Sequence, residues 1–237
     1  MALGRRKVAL ADQGAWVFNR MAHVYDARPP YPSALIDTIA ELGTRVLDLG
    51  AGIGHLSIPL AARGHRVTAV EPALEMLARL RAPNVEKVHA QAESLPFEGP
   101  FDVAVIADAL HFVDAERTGL ELARVRAQAL AIVRVELAKT PYMDALVALM
   151  HESAPRRARK TDGNAAQVAS IAGLTHRDTR EFSDHHPLSH EAMTRLLASI
   201  SFLGPAMNEQ RSALFRTRVA ALGPATFSRR FTLHVYR

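Results

Sequence analysis

The chain has no cysteine among its 237 residues, which excludes a disulfide framework, a thiol nucleophile and a cysteine-ligated zinc site. Long apolar runs are missing as well. No stretch approaches the roughly 18 residues of a membrane helix, so no membrane association is expected. Arg5, Arg6 and Lys7 precede an apolar run, but Asp12 and Gln13 interrupt it too soon for a secretory leader. A cytoplasmic location suits these absences. Aromatic residues make up only 6% of the chain, and none is interleaved with the basic run Arg156 to Lys160. A single-stranded nucleic-acid site needs bases stacked on aromatic rings beside its cations, so no nucleic-acid partner is expected. The charge imbalance is small, 29 basic against 24 acidic residues, and reads mainly as solubility with a general leaning toward anionic partners.

What the sequence does have is one organising stretch, Val46-Leu47-Asp48-Leu49-Gly50-Ala51-Gly52-Ile53-Gly54, an apolar strand running into a glycine-rich turn and then a helix. Glycines at 50, 52 and 54 accept positive φ at little cost and let a ligand approach the backbone. The spacing departs from the G-x-G-x-x-G of dinucleotide sites, because the third glycine of that pattern would fall at His55. Asp48 at the strand end suits an ammonium group or the ordering of the turn, and it argues against a phosphate. Glu71 closes a second apolar strand, Arg66 to Val70, where the acid of a βαβ nucleotide site takes ribose hydroxyls. Two carboxylates without a phosphate cradle point to a cationic nucleoside.

Hydrophobic periods alternate along the chain as a doubly wound sheet requires. Helices are expected over Trp16–Val24, Ser33–Leu42, His55–Arg63, Ala73–Leu80, Asp114–Gln128, Tyr142–His151 and Asn164–Ala172. Two more should follow Ser189 and Pro205. After the strand that opens the glycine turn, strands are expected at Arg66–Val70, Val85–Ala90, Asp102–Ala107, Ala129–Leu137, Thr175–Phe182 and Phe231–Tyr236. Right-handed crossovers would place the ligand outside the carboxyl ends of the strands.

These residues resemble the class I methyltransferases that use S-adenosylmethionine. Gln91-Ala92-Glu93-Ser94-Leu95-Pro96-Phe97 looks like that family's D-A-E-x-L-P-F segment, and Phe101 to Asp114 looks like its fourth strand and following loop. Phe18 to Pro32, with Tyr25-Asp26-Ala27-Arg28-Pro29-Pro30-Tyr31-Pro32, is similar to the N-terminal segment of small-molecule members related to trans-aconitate methyltransferases. The resemblance implies a Rossmann-like, mostly parallel seven-stranded α/β sheet with helices on both faces. It implies a single domain over 1–237: a helical lid at 1–43, a cofactor-binding core at 44–137, and a C-terminal half at 138–237 carrying substrate-side helices and the last strands.

The same resemblance assigns cofactor contacts to Asp48, Gly50, Gly52, Gly54, Glu71 and Pro72, to Gln91, Ala92 and Glu93 around the adenine, and to Asp108, Tyr25 and Arg28. Tyr31 and His23 are the substrate-side candidates, and His111 is the candidate base. Gln91 replaces the family's usual aspartate, but its amide oxygen still accepts from an adenine amino group. Glu93 either orients its loop or is a solvated acid. His111 either takes a proton near neutral pH or shapes the pocket, and Asp108 either contacts the cofactor or caps its loop. Arg28 matches a carboxylate through its planar fork. No metal is expected, since adjacent His185 and His186 on an extended chain point to opposite faces. The implied function is methyl transfer to a small, possibly acidic molecule, oxygen before nitrogen. The rivals are a binding protein that does not turn over methyl and an RNA methyltransferase; a nicotinamide oxidoreductase fails on glycine spacing. Whether the chain is a monomer or a homodimer is open.

Overall fold

The computed structural model describes residues 17–154 and 164–237. The expectations for the first sixteen residues, Trp16 included, and for the basic run Arg156 to Lys160 lie outside the described residues.

Seven strands form one sheet in the order β3-β2-β1-β4-β5-β7-β6. They are β1 (Arg45–Leu49), β2 (Arg66–Val70), β3 (Val85–Val88), β4 (Val103–Ala107), β5 (Leu130–Leu137), β6 (His176–Leu188) and β7 (Ala225–Tyr236). Strands β1 to β5 pair in parallel, and β7 runs antiparallel between β5 and β6. The central strands are near-continuous apolar runs, such as Val103-Ala104-Val105-Ile106, because helices cover both of their faces. The winding reverses between β1 and β4, so the strand ends there open onto a crevice.

The helices are α1 (Ser33–Ala40), α2 (Ser57–Ala62), α3 (Leu74–Arg79), α4 (Ala115–Arg124), α5 (Pro141–Ser153), α6 (Asn164–Ile171), α7 (His190–Ala198) and α8 (Glu209–Ala221). Several start where a polar side chain takes an orphan backbone N–H. Asp114 accepts from Glu116 and Arg117, Thr140 from Met143, and Ser189 from Ala192. Pro59 falls in the first turn of α2, where it removes no needed donor. One face of the sheet packs Val105, Val133 and Phe231 against Leu35, Ile39 and Leu60. The other packs Leu47, Ile106 and Ile132 against Leu122 and Val168. A separate cluster joins Met150, Leu196, Phe215 and Phe227 on the C-terminal side. Among the described residues no helix is long and apolar enough to cross a membrane.

Three expectations need correction. The N-terminal helix covers 17–21 and then tightens into a 3-10 helix at Ala22–Ala27. Pro205 does not open a long helix; it sits in a 3-10 turn, Gly204–Ala206, and α8 begins after Asn208, whose side chain accepts from Arg211. The last two strands are longer than expected. β6 reaches Leu188 and β7 starts at Ala225, so residues 183–188 and 225–230 pair as a hairpin extension. β5 runs with them: its last residue paired with β4 is Val133, opposite Ala107, yet it continues to Leu137 against β7. Four further residues extend the sheet by about 13 Å beyond the parallel strand ends.

Gly54 has φ +92°, and a Cβ there would lie 2.8 Å from Leu80 Cγ, whereas Gly173, at φ +74°, has nothing within 4 Å of such an atom. Strain alone should cost Gly173→Ala about 1–2 kcal/mol. Gly54→Ala adds overpacking of roughly 1–3 kcal/mol. Urea denaturation should rank the two variants in that order, and equal midpoints would contradict the packing role of Gly54.

Candidate active site

The glycine turn is folded onto the end of β2. Gly50 N–H and Ala51 N–H both donate to the Val70 carbonyl, at 2.9 and 3.1 Å. Glu71, 5% exposed, then accepts from Gly52 N–H through Oε2 and from Ala73 N–H through Oε1, each at 2.8 Å. Burial raises the Glu71 carboxyl above its ordinary pKa, and these two backbone donors work against that rise. Gly50, Gly52 and Gly54 all take positive φ, but they face different neighbours. A Cβ on Gly52 would meet only the Tyr25 ring, at 3.7 Å, while one on Gly54 would enter the Leu80 and Ile58 side chains. Gly52 therefore leaves room for a ligand, and Gly54 allows helix packing.

Asp48 is 1% exposed and accepts from Ser57 Oγ at 2.5 Å, which fixes the start of α2 beneath the turn. Of its two possible roles the structure shows the ordering one. Burial pushes its carboxyl up to about 6, the Ser57 hydrogen bond opposing and the Glu71 charge reinforcing the shift.

Two cavities open at the strand ends. The smaller, about 110 Å³, is lined by Phe18, Glu71, Pro72, Gln91, Ala92, Glu93 and Phe112 among others. Its loop is held from outside. Glu121 accepts from Leu95 N–H at 2.6 Å, Arg124 donates to the Leu95 and Phe97 carbonyls, and Glu93 accepts from Asp114 N–H at 2.7 Å. Glu93 thus orients its loop. The larger cavity, about 520 Å³, is lined by Arg28, Tyr31, Asp48, His55, His111 and Arg229, and continues along the extension of β5. Tyr25, Gly50, Gly52, Ala107 and Asp108 line both. Asp108 is one of two described non-glycine residues with positive φ, at +50°. Its N–H donates to the Val133 carbonyl at 2.9 Å. Aspartate tolerates this left-handed conformation better than most residues.

The N-terminal segment closes over this junction. Arg28 Nε and Nη2 donate to the Ser199 hydroxyl and carbonyl at 3.0 and 2.9 Å. The same guanidinium lies 4.3 Å from the Tyr25 ring centroid, and its Nη1 is 3.7 Å from Asp108 Oδ2. Tyr31 packs edge-on to Phe231; burial, with the Asp108 charge, raises its hydroxyl pKa and keeps it protonated. His111, in a short 3-10 turn at Leu110–Phe112, is half-buried on the larger cavity. His23 is the one predicted substrate residue that the fold does not bring here. It is exposed, bonds to the Arg20 carbonyl at 3.1 Å and lines neither cavity. Gly54 likewise lines neither.

Two residues at the site were not anticipated. His55 lies parallel to the Tyr25 ring, and its pKa is lowered to about 4, first by burial and then by Arg28 and Arg229, so the imidazole is neutral across the physiological range. Arg229, 7% exposed, pairs with Asp184 and donates to the Pro29 and Pro30 carbonyls at 3.1 and 2.6 Å. The signal for Arg229 was present in the sequence: it interrupts the alternating apolar set Ala225, Phe227, Phe231, Leu233, Val235. A charge on a buried strand face needs a partner. The histidines near the hairpin make local contacts instead. His185 Nδ1 lies 2.8 Å from Ser228 Oγ, and His190 Nε2 lies 2.8 Å from the Gly223 carbonyl. No group of three metal-ligating side chains occurs among the described residues.

Residues 46–128 match the family model described as a methyltransferase domain. That match spans β1 to β4, the glycine turn and the acid ending β2, so this part of the chain is similar to a methyltransferase domain. An uncharacterized methyltransferase of Mycobacterium tuberculosis is 38% identical over 130 residues, 53% of this chain and 51% of its own length. The chain spans about half the length of such relatives. Among solved structures, YcgJ of Bacillus subtilis is similar with a TM-score of 0.54 at 22% identity, covering 86% of this chain and 95% of that one. The 4+2 cyclase SpnF is similar with a TM-score of 0.53 at 18% identity, covering 89% and 84%. These two likenesses show the fold.

The raised pKa of Asp48 has a stability consequence. Between its ordinary value of 3.8 and about 6 the folded state binds the proton that the unfolded state releases. Stability contributed by the protonated form is therefore lost as pH rises through that window. Asp48→Asn should remove this loss, so the variant gains on the wild type by roughly 2–3 kcal/mol between about pH 4 and pH 7. Denaturation midpoints measured across the window check it; parallel pH profiles would contradict the buried acid.

Proposed function

We propose that the protein transfers a methyl group from S-adenosylmethionine to an oxygen of a small-molecule acceptor. The observation that carries this reading is the shared wall of the two cavities. A smaller recess edged by Glu71, Gln91 and Ala92 and a larger cavity meet at Gly50, Gly52, Ala107 and Asp108. The residues suit the cofactor: Gly52 leaves space a Cβ would fill, Glu71 offers oxygens for a ribose diol, and the Gln91 amide and Ala92 backbone offer an adenine edge its complements. When bound, S-adenosylmethionine supplies an electrophilic methyl, the new C–O bond forming as the C–S bond breaks with its electron pair left on sulfur. The chain's own part is to clamp, align and exclude water. Tyr25 and Arg28 roof the junction, and Tyr31, held protonated, donates toward the acceptor side. His111 takes the proton of a hydroxyl acceptor; a carboxylate acceptor, already ionised, needs no base. The resemblance of the N-terminal segment to trans-aconitate methyltransferase-like proteins supports an acceptor of this kind.

A second reading has one observation behind it: the same fold occurs in the cyclase SpnF. Binding of S-adenosylmethionine without release of its demethylated product would favour it.

Calorimetry should show S-adenosylmethionine binding, weakened at least tenfold in Glu71→Gln, as loss of a charge-assisted bond of about 1.5–3 kcal/mol implies. Unchanged affinity in that variant would sink the ribose assignment. With a hydroxyl acceptor, His111→Gln should lower kcat about 10²- to 10⁴-fold while cofactor affinity stays put. Wild-type kcat at every pH would leave His111 a residue of the loop only.

A further inference from the structure

His55 directly follows the glycine turn, and it lines the larger cavity but not the smaller one. Its half-buried ring lies 5.9 Å from that of Tyr25, at 28° to it, and Tyr25 lines both cavities. This stack fixes the plane of the imidazole beside the junction. Neither ring nitrogen has a hydrogen-bond partner among the described residues. A polar group so enclosed costs free energy until something bonds to it.

The neighbouring cations are directed elsewhere. Arg229 makes four N–H bonds, to Asp184, Pro29 and Pro30. Arg28 makes two to Ser199, while its Nη1 faces Asp108. Burial first, then these two arginines, lower the His55 pKa to about 4, with Asp26 opposing. An uncharged imidazole carries one N–H and one lone pair. A ring of such low basicity is a weak acceptor, so His55 serves as a neutral N–H donor on the acceptor side of the junction.

A donor in that position discriminates by lone pairs. A hydroxyl or carboxylate oxygen has one lone pair for the incoming methyl and another for an N–H. An amine nitrogen has a single lone pair, which the methyl requires, and an ammonium has none. With either nitrogen acceptor the His55 N–H is left unpaired where that loss is costly. We infer that His55 selects oxygen over nitrogen in the acceptor, its N–H bonding the reacting oxygen and turning that atom's other lone pair toward the methyl. The selection rests on methyl transfer from S-adenosylmethionine; the hydrogen bond does not.

Leu56, Leu196, Ile200 and Phe227 give the same cavity apolar walls, which suits probes built on one apolar frame: 5-indanol, 5-aminoindane and indane. Equilibrium dialysis against the full chain is run with S-adenosylhomocysteine at saturation. 5-Indanol should bind about tenfold tighter than indane, the order of one buried hydrogen bond. His55→Phe keeps a ring against Tyr25, and it should remove that advantage while leaving the affinities for indane and S-adenosylhomocysteine unchanged. His55→Gln, which restores an N–H donor, should recover most of it. With S-adenosylmethionine, kcat/KM for 5-indanol should exceed that for 5-aminoindane by roughly 100-fold, and His55→Phe should cut the ratio about tenfold. 5-Indanol bound no tighter than indane would overturn the inference. So would wild-type affinity for 5-indanol in His55→Phe, which would leave the ring a stacking partner only, or weaker S-adenosylhomocysteine binding there, which would make His55 a cofactor contact. Methylation of 5-aminoindane at the rate of 5-indanol would overturn the selection. A His55-dependent hold on 5-indanol without any methyl transfer would overturn the methyltransferase reading and leave the hydrogen bond in place.

Discussion

The site depends on how the end of β2 accepts hydrogen bonds from the turn after β1. Val70 offers one carbonyl to two successive amides, and the Glu71 carboxylate takes the next, from Gly52, along with that of Ala73. Parallel strands cannot share a tight hairpin, so their following loops are otherwise independent. Here four N–H groups from two loops converge on two adjacent residues. The turn is held in positive-φ conformations that would be costly without glycine, and the sites on either side of it inherit their spacing from that arrangement.

Around this turn the fold has placed groups whose proton affinities differ from those in water. Asp48 is a carboxyl held near the middle of the acid range by burial, His55 an imidazole kept neutral, and Tyr31 a phenol that does not ionise. The arginines spend their donors on backbone carbonyls and carboxylates, which fixes them in place. A cationic ligand entering such a space strengthens the ionised form of Asp48 and leaves His55 uncharged. Both responses lower the electrostatic cost of binding a positive ligand beside so many guanidinium groups.

The order of apolar and polar residues made the parallel half of the fold legible, because strands buried on both faces read as unbroken runs and their helices keep a 3.6-residue period. The hairpin extension was harder. Ser183-Asp184-His185-His186-Pro187 has the composition of a loop, and it is a strand only because β7 pairs along its whole length. Site residues fared likewise. Positions on the glycine turn and the loop after β3 follow from local spacing, and most of them line a cavity. Gly54 was indistinguishable from Gly52 by sequence, since what separates them is Leu80, a residue brought in by a different helix turn. His23 shares a segment with Tyr25 and Arg28 but faces outward in the tight 3-10 geometry. His55 and Arg229 reach the site from opposite halves of the chain, and their contacts are tertiary.

β7 lies between β5 and β6, although it follows both along the chain. A ribosome-bound chain that lacked it would hold β6 without a neighbour. The proline elbow at Pro29 and Pro30 would also lack the arginine that bonds its carbonyls. The roof of the cavity is built from residues ahead of β1, and its anchor from β7. Such long-range pairing is slow to form because loop closure precedes its reward. The smaller recess, lined by residues from Phe18 to Val113, can assemble before β7 is made, whereas the larger cavity closes only once β7 is in place.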